Sequence, residues 1–386
     1  MRSTPAFAST PHPVSGSAAN APVLVHFKNV CKAYGTETVV NNVNVEIRKG
    51  EFLTLLGPSG SGKTTSLMML AGFESTSSGS IEMEGRRIDT VPAHKRDIGV
   101  VFQNYALFPH MTIAENLAFP LQVRKVPKAE IATRVDAALE MVHLGSKGQR
   151  RPAQLSGGQQ QRIALARAMI FKPSLIVLDE PLGALDKSLR EQMQLELKRL
   201  HRELGITMVF VTHDQSEALT MSDRVAVFDK GRIQQIDTPT MLYQAPKTRF
   251  VAGFIGENNL IECTVASCQD GRVRLQTAGG GNLVARSDQA LAVGSRVTFA
   301  LRPEQIELDV SPSTAQDARR HVMSGLVRDV IFLGDQSKLV VSFEGIGEVF
   351  VRVSTRFGMH EISAGTTYTF SYWIELAHVF PSTEIS

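Results

Sequence analysis

The sequence has no long hydrophobic run: in 386 residues, none approaches the ~18 consecutive apolar residues of a membrane-spanning helix. We therefore expect no membrane span. The N-terminal segment carries an early arginine, Arg2, but no apolar stretch after it, so we expect no secretory signal. Both absences predict a protein that stays in the compartment where it is made.

Cysteine is scarce, and the charges nearly balance. Cys31, Cys263 and Cys268 are odd in number and not spaced as zinc ligands, so we expect reduced thiols in a cytoplasmic protein. The 41 basic residues exceed the 38 acidic residues by only three, a net charge too small to require nucleic acid or anionic lipid. The 43% of apolar residues provide ample core and exclude a collagen-like or wholly disordered chain.

Three segments of the chain differ in composition. Residues 1–22 are rich in Ser, Thr, Pro and Ala and predict a disordered N-terminal tail. Residues 23–256 alternate strand-like and helix-like patterns, which predicts an α/β domain with a mostly parallel sheet and helices on both faces. Residues 257–386 contain short β-rich runs between glycine-rich turns and predict a small all-β, barrel-like domain.

A glycine-rich turn fits the phosphate-binding pattern G-x-x-x-x-G-K-[ST]. It follows a predicted strand at 52–56 and opens a predicted helix, and it consists of Gly57, Pro58, Ser59, Gly60, Ser61, Gly62, Lys63 and Thr64. Glycines let backbone N–H groups face a phosphate, and the helix start adds the positive end of its dipole. Lys63 would supply a charge for the β- and γ-phosphates and Thr64 a hydroxyl for Mg²⁺.

Two carboxylates, Asp179 and Glu180, follow a wholly apolar run at 175–178. The carboxyl end of a parallel strand faces the ligand crevice of an α/β sheet. Asp179 could hold Mg²⁺, and Glu180 could orient or deprotonate an attacking water. Acidic residues often end strands, so the prediction depends on the phosphate-binding turn upstream.

A second turn suited to anions precedes a predicted helix at 160–171. It contains Ser156, Gly157, Gly158 and Gln159. Ser156 could cap the helix, and the glycines would bare its N–H groups. A simple capped helix explains the same residues. Because one triphosphate needs one cradle, the alternative hypothesis is that this turn serves a nucleotide held by another copy of the chain.

In this order the motifs resemble those of ABC-transporter ATP-binding subunits. The resemblance is carried by residues 57–64, Gln103, residues 155–159, residues 175–180, residues 184–186 and His213. It implies a P-loop NTPase fold with a helical subdomain, followed by a barrel-like domain of the OB or TOBE type. It also implies ATP and Mg²⁺ as the nucleotide and metal.

The resemblance assigns roles to further residues. Thr65 completes the phosphate-binding loop, and Tyr34 resembles the aromatic residue that stacks on adenine. Gln103 resembles the glutamine that meets Mg²⁺ and senses the permease. Asp186 resembles a residue at the dimer interface. His213 resembles the histidine that contacts the γ-phosphate. Each has a plainer alternative: an edge-strand aromatic for Tyr34, a loop glutamine for Gln103, and helix caps for Asp186 and His213.

The implied mechanism is a head-to-tail homodimer in which two ATP molecules lie between the phosphate-binding loop of one copy and the turn at 156–159 of the other. Closure of the dimer would drive two separate permease subunits, with an extracytoplasmic solute-binding protein as an indirect partner. The subunit would lie at the cytoplasmic face of the membrane. No nucleic acid is expected as a partner.

Residues 217–224 and 250–257 resemble importers of the spermidine/putrescine type most closely, and residues 301–304 resemble the accessory domain of importer ATPases. An iron(III) or sugar importer shares much of this pattern and remains the alternative. A soluble ABC ATPase without a membrane partner is more remote, because one phosphate-binding loop is present and no heptads lie between Lys63 and Ser156.

Two further segments each have two open interpretations. Residues 106–119 would either receive the permease or form the core of the helical subdomain. The C-terminal domain would be either regulatory or passive.

Overall fold

The computed structural model describes residues 21–183, 185–308, 317–355 and 362–382. Within them the chain divides into two compact units, one ending at Pro239 and one beginning at Thr240. Nearly all of the predicted tail at 1–22 lies outside the described residues.

The first unit alternates strands and helices, as predicted. Its strands are β1 (Val23–Tyr34), β2 (Glu37–Arg48), β3 (Phe52–Leu56), β4 (Ser78–Met83), β5 (Arg86–Arg87), β6 (Ile98–Val101), β7 (Leu175–Asp179), β8 (Thr207–Thr212), β9 (Arg224–Asp229) and β10 (Arg232–Asp237). Its helices are α1 (Lys63–Ala71), α2 (Ile113–Val123), α3 (Lys128–Met141), α4 (Gly157–Met169), α5 (Lys187–Leu204) and α6 (Gln215–Met221).

A six-stranded sheet in the order β10-β9-β3-β8-β7-β6 forms the centre of this unit. Its strands run parallel except β10, which pairs antiparallel with β9. Strands β3, β7 and β8 are buried along their whole length, as expected for apolar runs covered on both faces. The carboxyl ends of these three neighbours therefore meet at one edge, where a ligand crevice forms.

Two smaller layers complete the unit. Strands β2-β1-β4-β5 make an antiparallel sheet that shares its core with α1 and one face of the central sheet. Helices α2, α3 and part of α4 pack around a separate apolar cluster that includes Leu117, Leu139 and Ile163. This cluster accounts for the predicted helical subdomain.

The second unit is mostly β, as predicted. Its elements are α7 (Pro239–Gln244), α8 (Arg249–Phe254), β11 (Asn259–Gln269), β12 (Arg272–Thr277), β13 (Asn282–Arg286), β14 (Arg296–Leu301), β15 (Glu307–Leu308), β16 (Arg320–Phe332), β17 (Gln336–Phe343), β18 (Gly347–Ser354), β19 (Thr367–Trp373) and β20 (His378–Pro381). They form two antiparallel five-stranded sheets, in the orders β13-β12-β11-β14-β20 and β15-β19-β16-β17-β18, around one apolar core.

Residues 240–256 pack with the β-rich part of the chain, whereas the predicted limits of 23–256 and 257–386 assign them to the first domain. The guanidinium of Arg302 explains this packing. Its Nη2 donates to Tyr243 O at 2.7 Å and its Nη1 to Ile255 O at 2.7 Å, and its Cζ lies 3.6 Å from the centre of the Tyr243 ring. Packing divides the chain between Pro239 and Thr240, at the start of α7, and the limits predicted from the sequence remain a prediction.

We expect Arg302→Met to lower the free energy of unfolding of the second unit by about 3 kcal/mol, because it leaves several buried carbonyls without donors. The side chain is almost fully buried. Urea denaturation of the full chain measures the loss, with Arg272→Met on the exposed face of β12 as the control. Equal stability of the two variants would contradict the role given to Arg302.

None of the described helices combines the length and the apolar character that a membrane span requires.

Cys31, Cys263 and Cys268 are all free thiols. Burial raises the pKa of the Cys263 thiol to about 11, so this cysteine is held in its protonated, unreactive form.

Candidate nucleotide-binding site

The phosphate-binding loop connects the buried strand β3 to α1, as the sequence predicts. Gly60 and Gly62 have φ angles of +76° and +95°, which residues with a Cβ rarely adopt. A Cβ at Gly57 would lie 2.3 Å from Phe228 O, and one at Gly62 would lie 2.5 Å from Val39 O. Close backbone contacts therefore require glycine at positions 57 and 62, and the left-handed backbone also favours it at 62.

Lys63 is folded back over this loop. Its ammonium donates to Gly57 O at 2.9 Å and to Pro58 O at 2.7 Å, and the residue is only 4% exposed. Burial lowers the pKa of Lys63, while the nearby carboxylates of Glu180 and Asp179 act in the opposite direction. A buried, hydrogen-bonded cation thus lies against the loop and next to the acid pair, where a polyphosphate needs positive charge.

Thr64 and Asp179 meet across the sheet edge. The Thr64 hydroxyl donates to Asp179 Oδ1 at 3.0 Å. Burial raises the pKa of Asp179, the hydrogen bond from Thr64 and the charge of Lys63 lower it, and the charge of Glu180 raises it further. The carboxylate is therefore buried with little compensating positive charge.

Glu180 and His213 are also brought together, although 33 residues separate them. Strands β7 and β8 are parallel neighbours with Asp179 opposite Val211, so the residues that follow the two strands lie side by side. The Glu180 backbone turns away at φ +43°, and His213 Nδ1 lies 3.2 Å from Glu180 Oε1. A carboxylate and an imidazole in direct contact form a pair suited to general acid–base chemistry.

A small hydrogen-bonded ring supports the turn that carries His213, and the sequence analysis did not find it. Thr212 Oγ1 donates to Glu217 Oε2 at 2.6 Å and accepts from Asp214 N at 3.0 Å. Asp214 Oδ1 caps α6 by accepting from Ser216 N at 2.7 Å. The helix cap that could have been formed by His213 is therefore formed by Asp214, and His213 stays 58% exposed at its side chain.

Glu217 is the buried acidic residue of this ring, and burial raises the pKa of its carboxyl group. Arg190 from α5 faces it, with Nε 3.8 Å from Glu217 Oε1, and donates through Nη2 to Leu185 O at 2.9 Å. One sequence feature could have pointed to Glu217. It is an acidic residue in the first turn of a helix that follows the candidate catalytic residue His213.

Gln103 follows β6 on the other side of β7. It is exposed, and its Nε2 would lie 3.9 Å from a Cβ placed on Gly183. Gly183 N in turn donates to Glu180 O at 3.2 Å. Gln103 therefore lies beside the turn that follows the acid pair, at the edge of the same crevice.

The turn before α4 has the geometry of a capped helix. Ser156 is the N-cap, and its backbone N–H donates to Gln159 Oε1 at 3.3 Å. Ser156 and Gly157 are exposed, while a Cβ at Gly158 would lie 3.0 Å from Leu189 Cδ2. Within the described residues, no hydrogen bond or ion pair joins residues 156–159 to the phosphate-binding loop of the same chain.

The contacts of Asp186 and Tyr34 in the described residues are local. Asp186 is the N-cap of α5, where its Oδ1 accepts from Leu189 N at 3.0 Å, so the plainer alternative describes its contacts within one chain. Tyr34 ends β1 and is 48% exposed, with Lys32 Nζ 4.8 Å from its ring centre. Thr65 is half-buried at the start of α1, beside the exposed Thr64.

The donor set fits Mg²⁺ better than a softer metal. In the described ranges no three His, Cys, Asp or Glu residues cluster as a metal site. The hydroxyl of Thr64, the carboxylate of Asp179 and the amide oxygen of Gln103 are hard oxygen donors. Mg²⁺ is commonly held by one or two such groups together with substrate phosphates.

Comparison with known proteins identifies the family. The ABC transporter profile matches residues 40–183, and a TOBE domain profile matches residues 299–380. The spermidine/putrescine import ATP-binding protein PotA of Thermobifida fusca is 50% identical over 331 residues, which cover 84% of this chain and 85% of that protein. The protein of the same name from Pseudomonas aeruginosa is 47% identical over 323 residues, which cover 84% and 88%. This chain belongs to the spermidine/putrescine import ATP-binding group of ABC transporter proteins.

The fold of this chain resembles those of solved ABC ATP-binding proteins. An ATP-binding cassette solved as a dimer in a post-hydrolysis state with ADP and Pi is 33% identical, with a TM-score of 0.51 over 56% of this chain and 99% of that chain. CbiO1 of Clostridium perfringens, part of an ABC transporter complex, is 29% identical, with a TM-score of 0.54 over 57% and 90%. The predicted fold class, a P-loop ABC ATPase followed by a TOBE-type β domain, is confirmed.

Proposed function

We propose that this chain is the ATP-hydrolysing subunit of an ABC importer for spermidine and putrescine. The observation that carries the hydrolytic part is the 3.2 Å contact between Glu180 Oε1 and His213 Nδ1. It lies at the same sheet edge as the phosphate-binding loop and the Thr64–Asp179 hydrogen bond. The import part follows from the names of relatives that are about half identical over most of the chain.

In this proposal each of the main site residues has a stated task. The loop N–H groups and Lys63 bind the phosphates, and Tyr34 offers its exposed ring to the base. Glu180 accepts the proton of the attacking water, and His213 holds that carboxylate and the γ-phosphate in line. The hydrogen-bonded ring of Thr212, Asp214 and Glu217 keeps His213 in place.

The metal in this proposal is Mg²⁺, held by Thr64, Asp179 and Gln103. When bound, it would neutralise charge on the phosphate oxygens during phosphoryl transfer. The buried Asp179 carboxylate supports this assignment, since a cation there would relieve the cost of its burial.

The functional unit in this proposal is a head-to-tail homodimer. Residues 156–159 are exposed at Ser156 and Gly157 and are not bonded to the loop of their own chain within the described ranges. Two N–H groups at a helix start could therefore meet the phosphates held by a second copy. The structural relative was solved as a dimer with ADP and Pi, which supports dimerisation.

The partners of this dimer would be two permease subunits, with a solute-binding protein acting on the permease from the other side of the membrane. The dimer would then lie peripherally at the cytoplasmic face of the membrane. Residues 106–119 border Gln103 and would receive the permease. The relatives' names favour polyamines over the iron(III) or sugar alternative and over a soluble ABC ATPase.

The solute is tested with the complete transporter reconstituted in vesicles with its permease and binding protein. We expect spermidine or putrescine, presented on the binding-protein side, to stimulate ATP hydrolysis and to accumulate. Iron(III) and maltose serve as comparison solutes. Stimulation by either of these but not by a polyamine would overturn the import assignment and leave the ATPase assignment intact.

Subunit mixing tests the shared sites. We expect Ser156→Arg and Lys63→Ala to be inactive alone and an equimolar mixture to recover about one quarter of the wild-type rate. Half of the dimers are then mixed, and each mixed dimer has one intact site of two. The rate of ATP hydrolysis is the measurement.

The control for this mixture pairs Ser156→Arg with a chain that carries both substitutions, a combination that leaves no intact site. It should stay at the background rate. If the first mixture also stays at background while both variants fold and exchange partners, each chain must complete its own site.

A further inference from the structure

Two successive non-glycine residues just after Gln103 have a left-handed backbone. Tyr105 has φ +63° and Ala106 has φ +46°. In this region the Cβ approaches the following carbonyl, so residues other than Gly adopt it only when their surroundings hold them there. Tyr105 N donates to Phe102 O at 2.9 Å and Ala106 N to Asn104 O at 2.7 Å, which closes a tight turn around Gln103.

The guanidinium of Arg167 holds this turn from α4. Its Nη2 donates to Tyr105 O at 3.0 Å and its Nη1 to Ala106 O at 2.8 Å, so one planar group binds both left-handed residues. Its Cζ lies 5.5 Å from the centre of the Phe108 ring. Burial lowers the pKa of Arg167, because the partly buried ion loses solvation; the two hydrogen bonds offset part of this cost.

The Tyr105 side chain adds a second unfavourable feature. Its ring is buried in the cluster that contains Ala164, Leu165 and Ala168 of α4. Its hydroxyl is buried without a hydrogen-bond partner among the described residues. A buried polar group without a partner is costly, so neither the backbone nor the side chain of this turn favours the conformation by itself.

We infer that Arg167 is a positioning residue. Arg167 holds the turn at Tyr105 and Ala106, and this turn in turn holds Gln103 at the crevice, beside the turn that follows Glu180. The inference rests on the proposed function, because it concerns the rate of the same ATP hydrolysis. Helix α4 begins at Gly157, directly after its N-cap Ser156. Arg167 therefore ties the Gln103 segment to the helix whose first turn would meet the second copy's nucleotide.

The first test is Arg167→Met, which keeps the length of the side chain and removes both donors. We expect kcat for ATP hydrolysis to fall about ten-fold, the equivalent of the ~1.4 kcal/mol that one unsupported left-handed residue costs. The KM for ATP should change less than about two-fold, because the phosphate-binding loop and Tyr34 are untouched. Arg199→Met on the exposed face of α5 is the control and should leave both constants unchanged.

The second test separates positioning from general stability. Glycine adopts a left-handed backbone freely, so Ala106→Gly should restore kcat in the Arg167→Met background to within about three-fold of wild type. Ala106→Gly alone is measured beside it, so that the kcat of the double variant is compared with that of the single glycine variant as well as with the wild type. If Arg167 served only to pack α4, a glycine in the turn would loosen the protein further and kcat would not recover.

The inference is overturned if Arg167→Met keeps the wild-type kcat, or if Ala106→Gly fails to restore it. Neither result touches the proposed function, which is tested through Glu180. A Glu180→Gln chain that still hydrolyses ATP at the wild-type rate would overturn the proposed function whatever Arg167→Met does.

Discussion

Glu180→Gln is expected to bind ATP with nearly wild-type affinity and to lose hydrolysis by about 10³-fold, within the range that a general base contributes. Glutamine has the size of glutamate and can still contact His213, so the site keeps its shape. It cannot accept the proton of the attacking water. Binding is measured by calorimetry and hydrolysis by phosphate release in single-turnover and steady-state assays.

The matched control for this experiment is Glu203→Gln, in the exposed last turn of α5, where Glu203 pairs with Arg199 at 3.1 Å. Surface pairs of this kind contribute little, so its kcat and KM should equal those of the wild type. A Glu180→Gln chain as active as this control would show that another group takes the proton. If Glu180→Gln loses ATP binding as well as hydrolysis, Glu180 contributes to binding of ATP in the ground state.

Lys63→Ala is expected to lower ATP affinity about 100-fold, because a charge-assisted contact with the β- and γ-phosphates is lost inside a buried loop. The substitution also removes the donor to Gly57 O and Pro58 O, so part of the loss would arise from a rearranged loop. Calorimetric titration with ATP and with ADP separates the two causes. Loss of the phosphate contact weakens ATP more than ADP, whereas a collapsed loop weakens both equally.

Lys172→Ala, just beyond α4, serves as the control for a lost lysine, since Lys172 is exposed. It should bind both nucleotides as the wild type does. Unfolding midpoints of the two variants show whether the loop change reaches the core. Unchanged ATP affinity in Lys63→Ala would contradict the assignment of residues 57–64 as the phosphate-binding loop.

Local features of the site were predictable because their physical causes are local. The loop at 57–62 needs glycines for its left-handed backbone, and the helix it opens begins at Lys63. The apolar run before Asp179 forms a fully buried strand. Ser156 and Asp186 are residue types that cap helices, and each caps one.

Other features depend on which strands become neighbours. The Glu180–His213 contact exists because β7 pairs with β8 in one register, and no spacing within the sequence encodes that choice. In the second unit, β16 pairs with β19 across two intervening strands, and the sequence analysis did not predict either strand. Antiparallel runs with similar alternation can pair in several orders, so propensity alone could not choose among them.

By itself, the sequence determined the nucleotide-binding chemistry, the order of the motifs and the two classes of fold, because glycine turns, caps and apolar periodicity act over a few residues. Only the tertiary structure decided where long side chains make their contacts. Arg302 joins α7 and α8 to the β sheets, and Arg167 holds the turn after Gln103. The physical reason is that a guanidinium several bonds from its backbone can reach many carbonyls, and the partner it finds depends on how distant segments pack.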